Sequence, residues 1–168
     1  MKEEKYFLNK FGKWSQVGVP HKGWKCIDIM DLGEPLEICE MCEKNEIRYV
    51  HYMKHQDYPD ILAVGCICAG NMEENTIIAK KRDDFMKSRS NKKKKWLDKK
   101  WKLSKKGNLY IESDGFIIIL KNNGNYWSAN IKNEFKNINI WSKRKYNTKN
   151  EVKLAAFDHL TKLLFQNN

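Results

Sequence analysis

The sequence predicts an α+β protein in three parts: a cysteine-bearing β-hairpin module over residues 1–79, a basic connecting helix over 80–106, and a small antiparallel sheet packed by a C-terminal helix over 107–168. Three observations carry that reading. Four of the five cysteines fall in two close pairs between Cys39 and Cys68. The formal charge of +11 is unevenly placed: residues 1–79 hold 9 Lys/Arg and 13 Asp/Glu, residues 80–106 hold 14 and 3, and residues 107–168 hold 9 and 5. Beyond residue 107, runs of β-branched and aromatic residues are punctuated by Asp114-Gly115 and Asn123-Gly124, and an apolar stripe at helical spacing closes the chain.

In the first part, Gly18 to Gly23 reads as a turn and Lys25 to Met30 as a short strand. Arg48 to His55 is rich in β-branched and aromatic residues, and after a turn at Gln56–Asp60 the run Ile61 to Val64 returns beside it. A hairpin therefore lies between the two cysteine pairs. Cys26 stands apart and reads as a small buried residue. Met1-Lys-Glu-Glu-Lys5 leads into no apolar signal core, so a cytoplasmic protein with thiols or metal ligands is expected rather than a disulfide framework. The longest apolar run, Phe116 to Leu120, is too short to span a bilayer, and no membrane partner is expected.

Structural zinc takes four nitrogen or sulfur ligands in a tetrahedron, and a C-x-x-C turn delivers two thiolates to one ion. Cys39-Glu-Met-Cys42 has that form, and Cys66 and Cys68, returned by the hairpin, complete a four-cysteine set. The second pair is C-x-C, a less usual spacing, so His55 or His51 stands as the alternative to Cys66. On a strand rising about 3.3 Å per residue these histidines share a face roughly 13 Å apart, so one ion takes at most one of them. The first part is thus expected to be zinc-stabilised. Cysteine-rich zinc sites are usually closed, whereas hydrolytic zinc needs an open position and a nearby base. Residues 69–86 contain no histidine, and there is no Gly-rich phosphate loop and no nucleophile–base pair. Glu73 and Glu74 are assigned to the helix dipole. A non-enzymatic protein is the expectation.

The set Cys39-x-x-Cys42, Arg48-Tyr-Val-His-Tyr-Met53 and Val64-Gly65-x-x-Cys68 resembles a group of small bacterial and phage zinc proteins of treble-clef or zinc-ribbon type, over about residues 38–75. That resemblance implies a bound zinc and places the last cysteine in the first turn of a helix. It implies no activity.

From Ala69 the spacing becomes helical, with Ile77, Ile78, Phe85 and Met86 on the pattern. Ser88-Arg-Ser-Asn91 weakens the propensity, so either one helix breaks there and resumes through the lysines to Trp101, or two helices form. Lys92, Lys93, Lys94, Lys95, Trp96, Lys99, Lys100, Trp101 and Lys102 interleave ammonium groups with two indoles. Lysines can contact phosphates through counterion release, and an exposed indole can stack on a base. The competing role for Trp96 and Trp101 is to pack on the sheet while the lysines stay solvated.

In the third part, Asn108–Glu112, Phe116–Lys121, Tyr126–Lys132 and Asn137–Ser142 are predicted as four antiparallel strands. Thr148-Lys-Asn-Glu151 is a capping box, and Val152, Ala155, Ala156, Leu160, Leu163 and Leu164 form the stripe that covers the sheet. Gly115-Phe116, Asn125-Tyr-Trp-Ser-Ala129 and Tyr146 to Glu151 with the helix that follows look like the three-stranded DNA-binding domains of the Apetala and integrase arm-binding type. The resemblance implies that Lys132, Lys136, Trp141, Lys143 and Arg144 face DNA, with Lys145 at the edge. Arginine is scarce here, which favours backbone or shape recognition over guanine readout. The expected function is therefore a zinc-containing nucleic-acid-binding protein, with DNA the favoured partner. The alternative is a protein-interaction module, such as a phage-encoded inhibitor or adaptor of a nucleic-acid-processing complex.

Overall fold

The computed structural model describes residues 11–166; the reading of Met1–Lys5 lies outside them. The chain is α+β and divides into two compact units, residues 1–90 and 91–168.

In the first unit a 3-10 turn, Gly12–Ser15, precedes β1 (Lys25–Asp31), β2 (Glu37–Ile38), β3 (Glu46–Ile47), β4 (Tyr49–Lys54) and β5 (Leu62–Val64). Strands β1, β4 and β5 form an antiparallel sheet with β4 in the centre, and β2 pairs with β3 in a separate short ladder. The expected hairpin is β4–β5, in the register His51 opposite Val64 and Met53 opposite Leu62. Strand β5 runs through Gly65 directly into α1 (Cys66–Met72). The core gathers Trp14, Trp24, Met41, Val50, Met53, Leu62, Val64 and Met72 with the buried cysteines.

The helical segment breaks earlier than the sequence suggested. Helix α1 stops at Met72, Glu74 takes a left-handed backbone (φ 56°), and α2 starts at Thr76 and runs to Lys94. Asn75 decides the point of restart, because its side-chain oxygen accepts the amide of Ile78 at 3.0 Å, an N-cap that a propensity count overlooks. Gly70 lets the two helices meet: a Cβ there would lie 2.9 Å from the Thr76 Cα. Ser88 to Asn91 stays helical, since Arg89 and Ser90 are buried and Arg48 donates to the Ser90 hydroxyl at 2.7 Å. The same guanidinium grips Asp31 through two bonds of 2.7 and 3.1 Å.

In the second unit the expected continuation of the helix to Trp101 is replaced by turns after Lys94 and a short edge strand, β6 (Lys102–Leu103). Strands β7 (Leu109–Ser113), β8 (Phe116–Asn122), β9 (Trp127–Asn133) and β10 (Ile138–Trp141) follow, and the five lie side by side in chain order as an antiparallel meander. Asp114 (φ 53°) and Gly115 (φ 78°) form the two-residue β7–β8 turn that the Asp-Gly pair announces. Helix α3 (Lys149–Gln166) is capped as expected: Thr148 Oγ1 accepts the Glu151 amide at 3.1 Å, and Glu151 reaches back to the amide of Asn147 at 3.0 Å. It covers the sheet face formed by Phe116, Ile118, Leu120, Ala129 and Ile131 with Val152, Ala156, Phe157, Leu160 and Leu163.

Candidate metal centre and basic sheet face

In the first unit the Sγ atoms of Cys39, Cys42 and Cys68 lie within 4.8 Å of one another, all buried, so the triad could hold a metal ion. A tight turn closes the C-x-x-C knuckle: the Glu43 amide bonds the Cys39 carbonyl at 2.7 Å, and Glu43 takes a left-handed backbone (φ 52°). Cys68 arrives from the first turn of α1. Gly12 packs on the knuckle so closely that a Cβ would sit 2.7 Å from the Cys42 carbonyl carbon, on a backbone with φ +59° that disfavours side chains in any case.

Donors for a thiolate surround the triad. The Cys68 thiol, and after it the amides of Cys42, Gly65 and Met41, hold Cys39 well below the usual thiol range against a burial that acts the other way. The Gly65 amide lies 3.5 Å from the Cys39 sulfur. Trp14, 3% exposed, directs its indole N–H at Cys68 without reaching full hydrogen-bond geometry. A metal-bound thiolate accepts such a donor better than a thiol does, so the residues present fit a metal.

Cys66 does not join this group, nor does either histidine. Residues two apart on a helix point about 200° apart, so Cys66 and Cys68 at the start of α1 face opposite ways. His55 is half-buried; its Nδ1 accepts the Asp57 amide at 3.0 Å and its ring packs 5.3 Å from that of Trp24. His51 is fully buried on β4, where burial and the nearby Arg82 lower its pKa below the usual imidazole value. It lies instead with Cys66 and with Asp83 of α2, a residue that no sequence motif singled out. Cys26 stands outside both groups, with its thiol pushed up to about 11 by burial.

In the second unit the two tryptophans take the packing role rather than the stacking one. Trp96 is 1% exposed, donates its indole N–H to the Lys153 carbonyl at 2.8 Å and packs edge-on against Phe157 and Trp101. A buried indole cannot stack on a base, so Trp96 leaves the list of nucleic-acid candidates; Trp101 is half-buried in the same core. The lysine run is partly committed as well. Lys92 pairs with Asp114 at 3.1 Å and Lys93 with Asp158 at 2.6 Å, which fastens the end of α2 to the sheet and to α3. Lys94, Lys95, Lys99, Lys100 and Lys102 are exposed.

The sheet face away from α3 shows what the sequence left unread. Cross-strand register aligns Lys102, Tyr110, Ile119, Asn130 and Trp141 in one row, and Glu112, Ile117, Lys132 and Asn139 in the next, with Lys121 beside Ser128. Trp141 is 52% exposed, and Lys105 and Lys106 line a groove with Tyr110, Ile117, Ile119 and Lys132. Lys132 and Trp141, anticipated for this face, are on it. Lys136 lies in the β9–β10 turn; Lys143 and Arg144, exposed after β10, border a hollow against α3; Lys145 sits 4.5 Å above the Tyr126 ring.

Neither a known family model, nor a curated protein, nor a solved structure matches this chain. Among the described residues, no helix is long and apolar enough to cross a membrane.

Proposed function

We propose that the protein is a non-enzymatic nucleic-acid-binding protein, with duplex DNA the favoured ligand, in which zinc at Cys39, Cys42 and Cys68 organises the first unit and the open sheet face of the second contacts phosphates. One observation carries the reading. Residues 91–168 hold 18 Lys/Arg against 6 Asp/Glu, net +12, while residues 1–90 hold 14 against 15, net −1. The entire positive excess thus belongs to the unit whose sheet bears Lys102, Lys121, Lys132, Tyr110 and Trp141 on the face away from α3.

Lysines attract phosphates as point charges, and a half-exposed tryptophan offers a flat surface to a sugar or a splayed base. The near absence of arginine suits contact with the backbone better than guanine readout. For the metal, three buried thiolates supply three of the four places of a tetrahedral zinc ion, and the order of knuckle, hairpin and helix suits the resemblance to treble-clef zinc modules.

Fluorescence anisotropy with labelled duplex across a salt series tests the proposal. About five neutralised phosphates give a slope near −4.5 in log K against log salt. Lys132→Glu combined with Lys121→Glu should flatten that slope by about two and weaken binding at least about tenfold without loss of fold. No binding to duplex or single-stranded DNA or RNA at low salt would overturn it.

A further inference from the structure

His51, Cys66 and Asp83 come from three elements that are distant in sequence: the central strand β4, the first residue of α1 and the second turn of α2. One ligand atom of each lies within 4.8 Å of the other two. His51 is 0% exposed, and neither ring nitrogen has a partner at full hydrogen-bond geometry; the Ala79 and Tyr49 backbones approach the ring only as acceptors and leave the imidazole lone pair without a donor. A buried imidazole lone pair with no partner is costly. Asp83 is 9% exposed, and its Oδ2 takes an ion pair from Lys87 at 2.7 Å.

We propose that His51, Cys66 and Asp83 form a second metal site, separate from the cysteine triad, that takes a divalent ion of the zinc class through three protein ligands. The donor set is nitrogen, sulfur and oxygen, which zinc accepts and which magnesium or calcium, bound through oxygen alone, would not. Charge favours it too. A thiolate and a carboxylate balance a dication, so the filled site is neutral where an ion held by neutral groups would carry the full cost of burial. The unused lone pair of His51 gains the partner that the protein does not supply. Lys87, bonded to the Asp83 carboxylate, orients that ligand from outside, and Ala79, one turn before Asp83, offers its carbonyl to steer the ring.

The C-x-C spacing follows from the same arrangement. With two sites on opposite sides of α1, Cys66 and Cys68 each serve one, whereas a single four-cysteine centre would need both on one side.

Metal content per chain decides the matter. The full chain is saturated with zinc, desalted and measured by inductively coupled plasma mass spectrometry, alongside Cys66→Ala and Asp83→Asn, with circular dichroism to check the fold. Two zinc ions in the wild type, falling to one in both folded variants, is the expected result. One ion in the wild type that Cys66→Ala keeps would overturn this site and leave the triad standing. One ion that Cys66→Ala loses would uphold this site and overturn the triad. No retained zinc, or two ions that both variants keep, also overturns it. Should either variant fail to fold, His51→Gln, which preserves bulk and a polar end but is a poor zinc ligand, is read by the same criteria.

Discussion

The two units solve the same problem with different materials. The second builds a regular meander of five strands under one helix, and its core is continuous hydrocarbon and aromatic surface: Trp96, Phe116, Ile118, Leu120, Phe157 and Leu160 are all at most 2% exposed. The first divides its strands between two separate small sheets, one of three strands and one of two, and three of the buried residues in its core are the cysteines of the triad. Separate small sheets offer each other no continuous face to pack on, and a fold built that way commonly needs a staple. The difference teaches where a metal at the triad would act: it would replace the continuous packing that divided sheets do not supply.

Chelation tests that contrast most severely. With zinc at the triad as proposed, its removal should unfold the first unit, since structural zinc contributes about 10–16 kcal/mol of apparent folding free energy, while the second unit keeps its protection. Hydrogen exchange read by mass spectrometry, with and without a strong chelator, should show rapid exchange across β4, β5 and α1 and slow exchange across β8, β9 and α3. Equal protection in both halves after chelation would remove the distinction.

Next in size is Trp96→Ala. It deletes a buried indole that packs on Phe157 and donates to the Lys153 carbonyl, and it should destabilise the second unit by about 3–5 kcal/mol in denaturant titration. Zinc content of the folded protein should not change. The smallest effect expected is that of Thr148→Ala, which removes the cap of α3 and should cost about 1 kcal/mol in the same titration.

Legibility in the sequence followed the range of the interactions. The capping box at Thr148 and Glu151, the Asp114-Gly115 turn and the β4–β5 hairpin are set by residues a few positions apart, and each was readable. The helix break was local too, yet it went unread because Asn75 looks unremarkable until its side chain is seen on the Ile78 amide. Ser88 to Asn91 misled for the opposite reason. A poor local propensity there is overruled by Arg48, which is forty-two positions from Ser90 in the chain. The lysine run illustrates a third case. Its charge was plain, but the burial of Trp96 and the pairing of Lys92 and Lys93 depend on α3 and the sheet.

By itself the sequence determined that the cysteines cluster, that the positive charge is concentrated, and that the chain is α+β, because composition and short-range periodicity carry those facts. Only the tertiary structure decided how the cysteines divide. The sequence sets Cys66 and Cys68 two residues apart, and the helical turn then sends them in opposite directions, Cys68 to Cys39 and Cys42, Cys66 to His51 and Asp83. Linear spacing says that two thiols are near each other; the 100° step of a helix says which neighbours each one meets.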